Sequence, residues 1–272
     1  MLYLKKVLLL LISSLMILAT DLSAKDISAY LIGSHESVQT VTNKLKKAGF
    51  EVLAEYESVR NGVTVVFTNE DLKSIASKKK RAHAAILRVF VDNQEKRISI
   101  TNPVYFGRAF MQNDYNTKVF KSQLEVLKSI FHNLKDSADK MDEDDLSGYH
   151  FMVGMPYYED VDELGKGSTK ELLEKAKSYK KGKHLLFSLK LSDNSYLLGY
   201  DLSSRTKKFV KKIGRANAAV LPYCISIEDG LASSMEAKYY LALSYPLLTM
   251  SEFTTIATVP GAIAKELAKP FK

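Results

Sequence analysis

The strings RAHAAILRVFV (Arg81–Val91) and RANAAVLPYCI (Arg215–Ile225) repeat one pattern in two parts of the chain. A basic stretch precedes each string and ends at its first residue, an arginine. The following Ala-X-Ala-Ala leads into an apolar run. Small alanines allow close packing, so both strings predict a helix end followed directly by a buried strand. X is His83 in the first string and Asn217 in the second. Both side chains hydrogen-bond and tolerate unusual backbone angles, which favours a turn; the alternative is a site role for His83 that the second string has lost.

The match extends to both sides of these strings. Each half is expected to contain a short strand, an amphipathic helix, a hairpin and a basic helix before its string. The hairpins are expected to turn at residues 60–62 and 192–194, and the basic helices to be capped by Asn69 in the first half and by Ser203 or Ser204 in the second. The opening strands are expected at Ala29–Gly33 and His150–Gly154, and the last strands at Lys96–Thr101 and Ala237–Tyr245. The sequence therefore predicts an α+β fold of two similar β-α-β-β-α-β-β halves. We interpret the ordered match as a duplication; coincidence of amphipathic patterns is the alternative.

A long helix is expected to join the halves, because apolar residues recur there at helical spacing. Asp142–Asp145, followed by a glycine turn, is predicted to be a solvated hinge, and a C-terminal helix is expected over about Ser251–Lys269 with a break at Pro260. The apolar face of the joining helix would consist of Phe120, Leu124, Leu127, Phe131 and Leu134. The expected domains are residues 25–112 for the first half, 113–147 for the linking helix and hinge, and 148–272 for the second half with its C-terminal helix.

The N-terminus has the layout of a signal peptide. Lys5 and Lys6 precede an apolar core over Val7–Leu18, and small residues lead to Ala24. This core is shorter than the roughly 18–20 residues that a membrane-spanning helix needs. The sequence therefore predicts that residues 1–24 are cleaved near Ala24 and that the mature protein is periplasmic or secreted. An uncleaved N-terminal anchor is the alternative.

Composition limits the chemistry. Cys224 is the one cysteine, so an internal disulfide and covalent haem attachment are excluded, and we expect this thiol to be buried in a strand and inert. The five histidines are scattered singly, so no metal site is predicted. Neither a Gly-x-Ser-x-Gly elbow nor a complete phosphate loop occurs, so no catalytic residue is assigned and the cofactor remains unknown. Nucleic acid is not an expected partner of an exported protein.

The basic helices give the clearest indication of a binding site, since the chain carries a net charge of +8 and both helices end in lysines and an arginine. Equivalent positions in two similar halves would place both clusters on related surfaces. Such clusters suit a small anionic ligand, an envelope partner or the anionic face of a membrane; solvated helix faces are the alternative. The candidate binding residues are Lys79, Lys80, Arg81 and His83 in the first half, and Lys211, Lys212, Arg215 and Asn217 in the second.

Two stretches of the first half resemble a known family. SVQTVTNKLKKAGFEVLAEYES (Ser37–Ser58) and RAHAAILRVFVDNQEKRISITNP (Arg81–Pro103) are similar to the small α+β domain called domain of unknown function 302. The resemblance covers about Ala29–Phe110 and, more weakly, the second half. It implies a compact sheet-and-helix fold that pairs with a second copy, and it supplies no settled activity and no catalytic residues.

These observations favour an exported binding or accessory protein built from two α+β repeats. Two alternatives stay open at this point. One is an enzyme, hydrolase-like, with a site between the repeats, and the other is a structural protein of the cell envelope.

Overall fold

A computed structural model describes residues 26–272, and the predicted signal peptide, residues 1–24, lies outside this range. All strand pairs of the described chain are antiparallel. In chain order the strands are β1 (Asp26–Ser28), β2 (Tyr30–Ser34), β3 (Glu51–Val59), β4 (Gly62–Thr68), β5 (Leu87–Asp92), β6 (Arg97–Thr101), β7 (Lys135–Asp136), β8 (Lys140–Asp142), β9 (Val161–Lys166), β10 (Leu185–Ser192), β11 (Ser195–Tyr200), β12 (Tyr223–Glu228) and β13 (Leu231–Met235).

Side-chain caps set the start of most described helices. Asn69, for example, accepts a hydrogen bond from the Leu72 backbone N–H at 3.0 Å, as its predicted capping role requires. The α-helices are α1 (Val38–Lys47), α2 (Glu70–Ala76), α3 (Pro103–Met111), α4 (Thr117–Ile130), α5 (Thr169–Ser178), α6 (Phe209–Ile213), α7 (Ala237–Ser244), α8 (Met250–Thr255) and α9 (Val259–Ala268).

The strands of the described chain form two main sheets. The larger has the order β3-β4-β5-β6-β2-β7, the smaller has the order β10-β11-β12-β13-β9, and β1 and β8 form a separate pair. When β2–β6 are matched in chain order with β9–β13, the strand order β3-β4-β5-β6-β2 of the larger sheet is the same as the order β10-β11-β12-β13-β9 of the smaller sheet. In each, the helix that follows the first strand of the half, α1 or α5, leads into a hairpin. The α+β class predicted from the sequence is confirmed.

Two strands predicted in the second half are wrong. His150–Gly154 forms turns, because Gly154 has a φ of +82° and the Met155 N–H donates to the Met152 carbonyl at 2.9 Å. The outer strand is instead β9, which pairs with β13. Ala237–Tyr245 is helical over α7, because the Glu236 carboxylate caps it by accepting from the next backbone N–H groups. The strand expected there is supplied by β13.

The region between the halves does not form the single long helix that the sequence predicts. It contains α3 and α4, and its chain then returns to the larger sheet, where β7 pairs with β2. α4 ends at Ile130, and Phe131 has extended backbone angles, so Phe131 and Leu134 lie beyond the helix. Phe120, Leu127 and Phe131 are nevertheless buried, as their apolar spacing predicts. The predicted hinge at Asp142–Asp145 begins inside β8.

The predicted C-terminal helix is divided into α8 and α9. Thr249 and Glu252 form a capping box at the start of α8, in which each side chain accepts a hydrogen bond from the backbone of the other residue. Pro260 lies in the first turn of α9 and does not break the helix, because the N–H that proline lacks is unpaired at that position anyway.

In both strings a 3₁₀ turn precedes the strand, so the prediction that the strand follows the helix directly and starts at Ala-X-Ala-Ala is wrong, whereas His83 and Asn217 do lie in turns, as their residue types favour. The turns span Ala82–Ala85 and Arg215–Val220, and β5 and β12 follow them. Ala84 donates its N–H to the Arg81 carbonyl at 3.0 Å, which closes the first turn. Ala85 and Ala219 are fully buried in these turns, so the small side chains lie at a tightly packed junction, as predicted.

Candidate functional site

The two basic segments each contact the opposite half of the molecule. The Lys80 backbone N–H donates to both carboxylate oxygens of Glu228, at 2.9 and 3.1 Å. Arg215 donates from Nε to the Asp92 carboxylate, at 2.9 Å to Oδ1 and 3.0 Å to Oδ2. Asp92 and Glu228 are the last residues of β5 and β12, so each sheet presents a carboxylate at the same strand end to the basic segment of the other half.

Arg215 also forms hydrogen bonds with the turn of the β3–β4 hairpin in the first half. Its Nη1 donates to the Arg60 carbonyl at 2.9 Å and its Nη2 to the Asn61 carbonyl at 2.8 Å. The guanidinium carbon also lies 5.6 Å from the centre of the Phe90 ring, in a cation–π arrangement. Because Asp92 is fully buried, its charge is compensated by Arg215 and by the backbone N–H groups of the next turn.

The first basic cluster comprises residues 78–81, which follow the end of α2, and each of its four cations lies at ion-pair distance from a carboxylate. Lys78 lies 3.1 Å from Asp114, and Lys79 lies 3.6 Å from Asp229. Lys80 lies 3.1 Å from Glu159. Arg81 donates to both Asp114 and Glu159, at 3.0 and 2.9 Å. Two of these three carboxylates, Glu159 and Asp229, come from the second half, so the predicted site residues Lys79, Lys80 and Arg81 form part of the contact between the halves.

The second basic cluster comprises Lys207, Lys208, Lys211, Lys212 and Arg215, and only part of its positive charge is paired with carboxylates in the described chain. Lys207 is paired with Asp201 at 2.7 Å, and Lys212 donates to the Thr255 carbonyl at 3.0 Å. Within residues 26–272, neither Lys208 nor Lys211 has a carboxylate at ion-pair distance, and both side chains are exposed. The two clusters therefore differ in charge compensation although they occupy corresponding places in their halves.

A cleft of about 830 Å³ opens beside this second cluster. It lies between the first hairpin and the basic segment of the second half, so both halves form its walls. Its lining combines five cationic residues with two carboxylates, and hydroxyl, amide and valine side chains complete it. The lining residues are Glu57, Ser58, Val59, Arg60, Asn61, Gln94, Glu95, Ser204, Lys207, Lys208, Val210, Lys211 and Arg215.

Glu266 from the C-terminal helix α9 holds the basic segment in place. Its carboxylate accepts from the Ser203 backbone N–H at 2.8 Å and from the Ser203 hydroxyl at 2.6 Å, and it also accepts from the Thr206 hydroxyl. Burial acts to raise the pKa of Glu266, but these hydrogen bonds outweigh burial and lower it below its usual value. The ionised carboxylate thus fixes the chain that leads into α6.

His83 and Asn217 are buried in the two 3₁₀ turns, and neither lines the cleft. Burial, with a smaller contribution from Arg88, lowers the pKa of His83 to about 3, so its ring is neutral at physiological pH. The Asn217 amide donates to the Ser244 carbonyl at 2.8 Å and to the Asp139 carboxylate at 3.0 Å. Asn217 therefore joins the turn to the end of α7, a structural role.

Arg88 and Cys224 meet at the centre of the contact between the halves. They occupy corresponding positions, four residues before the ends of β5 and β12, and Arg88 Nη2 lies 3.4 Å from Cys224 Sγ. The same nitrogen donates to the Pro222 carbonyl at 3.2 Å. Cys224 is buried in β12, as predicted, and this burial raises the pKa of its thiol despite the nearby guanidinium.

Over residues 26–272, no group of three or more histidine, cysteine, aspartate or glutamate side chains is placed to hold a metal ion. The same residues contain no helix that is long and apolar enough to cross a membrane. A scan against protein-family models and searches of curated proteins and of solved structures found no match to the chain. The resemblance to domain of unknown function 302 thus stays a prediction.

The cleft brings together some predicted residues and adds others. Lys211 and Arg215 line it, whereas Lys212 of α6 is directed to the Thr255 carbonyl of α8 and the first-half candidates lie elsewhere. Sequence reasoning assigned Arg60 and Asn61 to a hairpin turn only. Their turn geometry is right, since Asn61 has a φ of +56°, but a turn signal carries no information about which distant segment packs on it.

Proposed function

We propose that this protein is an exported binding protein that takes a small anionic ligand in the cleft between its two sheets. The observation that carries the proposal is the unequal compensation of the two basic clusters. Carboxylates neutralise the first, whereas Lys208 and Lys211 of the second face the cleft without one in the described chain. Uncompensated positive charge at a concave site raises the local concentration of anions and favours their binding there.

The chemistry of the lining supports an oxygen-rich anion such as a phosphate or a carboxylate. Arginine and lysine donate charge-assisted hydrogen bonds to such oxygens, and the Asn61 and Gln94 amides supply neutral partners. Val59 and Val210 add apolar surface for the rest of the ligand. The volume of about 830 Å³ falls within the range of roughly 300–1,000 Å³ that is typical of small-molecule sites.

We further propose that the two halves arose by duplication and pack about an approximate two-fold axis. The common strand order and the exchange of carboxylates from matching strand ends support this proposal. The direct contact between Arg88 and Cys224 supports it too, because residues on a two-fold axis meet their own counterparts. A pair of similar units is also what the resemblance to domain of unknown function 302 implies.

The test is titration calorimetry of the mature protein with inorganic phosphate, citrate and a neutral sugar, each at low and high salt. We expect an anion to bind, with an affinity that falls as ionic strength rises. The double variant Lys208→Gln/Lys211→Gln should bind at least about tenfold more weakly, because each lysine supplies a charge-assisted hydrogen bond.

Lys118→Gln/Lys121→Gln is the matched control. These two lysines have the same spacing, are exposed on α4 and lie away from the cleft, so the variant removes the same charge from the protein. Equal loss of affinity in both variants would show that net charge alone attracts the anion. Binding by neither the wild type nor the control would refute the proposal.

A further inference from the structure

The exposed large apolar side chains of the described residues are confined to two segments of the second half. They are Met152, Val153, Tyr157 and Val161 in one segment, and Leu247 and Met250 in the other. Scattered single apolar residues are normal on a protein surface, but a group of them marks an interaction site. Their restriction to two segments is therefore informative.

Four of these side chains lie on segments that meet at α8. Phe151 contacts Phe253 of α8, with ring centres 5.4 Å apart, which brings the turn at residues 152–155 to this helix. Leu247 and Met250 lie just before α8 and at its first residue. We name Met152, Val153, Leu247 and Met250 the apolar rim.

The turn presents its apolar residue to solvent. Val153 is 95% exposed and Leu247 is 58% exposed, and the hydrogen bond from the Met155 N–H to the Met152 carbonyl closes the turn beneath Val153. The packed Phe151 ring anchors this turn. A protruding valine on an anchored turn is suited to enter an apolar medium, since its removal from water is favourable.

Positive charge lies beside the apolar rim. Lys212 donates to the Thr255 carbonyl at the last residue of α8, and Lys211 precedes it on α6. The one carboxylate on α8, Glu252, is held by the backbone N–H and hydroxyl of Thr249 in the capping box. An exposed apolar group next to lysines matches the surface of an anionic bilayer, which combines acyl chains with negative headgroups.

We infer that the apolar rim and Lys212 dock the protein onto an anionic lipid surface. Val153 and Leu247 enter the boundary between headgroups and acyl chains, while Lys212 contacts the negative headgroups. Neither kind of contact alone gives stable binding, and the two together give reversible peripheral attachment. This inference is independent of the anion cleft, because Lys212 and the rim residues do not line it.

The test is cosedimentation of the mature protein with vesicles of phosphatidylcholine alone or mixed with phosphatidylglycerol. We expect binding to the mixed vesicles and little binding to the neutral ones. Val153→Ser/Leu247→Ser should reduce binding to the mixed vesicles by on the order of tenfold, because two apolar side chains no longer leave water. Lys212→Gln should reduce it by about fivefold, and Lys118→Gln, which lies on α4, should leave it unchanged.

Three further measurements test whether the rim substitutions act through lipid binding alone. The melting temperature and the anion affinity of Val153→Ser/Leu247→Ser should equal those of the wild type, since both side chains are exposed and away from the cleft. Sedimentation velocity without lipid should show the same oligomeric state for both proteins. Self-association that the double variant abolishes would overturn the inference in favour of a contact between copies, and so would vesicle binding that both substitutions leave intact.

Discussion

His83 is buried, and its pKa therefore differs between the folded and the unfolded protein. Burial lowers its pKa to about 3 from the ordinary value of 6.5, so between these pH values the folded protein keeps a neutral ring while the unfolded chain binds a proton. The contribution of the neutral His83 ring to the free energy of unfolding is therefore fully present above pH 6.5, and it is lost as the pH falls toward 3. Each pH unit in this window costs at most about 1.4 kcal/mol of unfolding free energy.

We predict that His83→Asn flattens the dependence of unfolding free energy on pH below about 6.5, because the variant has no proton to gain there. Urea denaturation at a series of pH values measures the slope. A constant loss of packing against Phe110 does not change that slope. His132→Asn is the control, since His132 is exposed, and an equally flattened slope in this control would contradict the prediction.

At the residue scale, the sequence predicts which side chains are basic but not which are neutralised. Asp114, Glu159 and Asp229 approach the first cluster from three separate parts of the chain. No local spacing connects them to Lys79 or Arg81. The free charge of the second cluster could therefore be recognised only once the fold had placed these carboxylates.

At the element scale, the two alanine-rich turns form largely buried junctions between helix and sheet. Ala85 and Ala219 are fully buried. We predict that Ala85→Leu and Ala219→Leu each lower the free energy of unfolding by about 1–3 kcal/mol, because added methyl groups have no space and force neighbours to move. Chemical denaturation measures both. Ala257→Leu, at an exposed position, should change stability by less than about 0.5 kcal/mol.

Elements with a clear period or turn signal were predictable from the sequence, whereas the apolar run at Ala237–Tyr245 was not. The hairpins β3–β4 and β10–β11 lie where alternation and turn residues indicated them. Ala237–Tyr245 was assigned to a strand because an apolar run of this length fits a buried strand as well as a buried helix. In the structure the segment is a helix: Glu236 caps its first turn, and seven of the eight residues of α7 are buried.

At the scale of the whole molecule, Arg215 controls how firmly the halves are joined. We predict that Arg215→Met lowers the unfolding free energy by about 3–5 kcal/mol, because it leaves the buried Asp92 carboxylate without its cation. It should also speed thiol labelling of Cys224, which becomes accessible only when the contact between the halves opens. Denaturation and the rate of labelling in the native protein are the two measurements.

Arg81→Met is the matched comparison. Its partners Asp114 and Glu159 are 36% and 43% exposed, so water can solvate them once the arginine is gone. We expect this variant to lose no more than about 1 kcal/mol and to label Cys224 at nearly the wild-type rate. Equal effects of the two substitutions would mean that the buried carboxylate is not what makes Arg215 important.

The unequal charge of the two clusters has a consequence for stoichiometry. A two-fold symmetric homodimer repeats every residue, so a site that lies away from the axis occurs in both units or in neither. The proposed duplication would remove that requirement by joining two units in one chain, and here carboxylates pair with one basic cluster while the other stays open. Saturation of the cleft should accordingly take a single ligand for two units, whereas a symmetric pair with a site in each unit would take two.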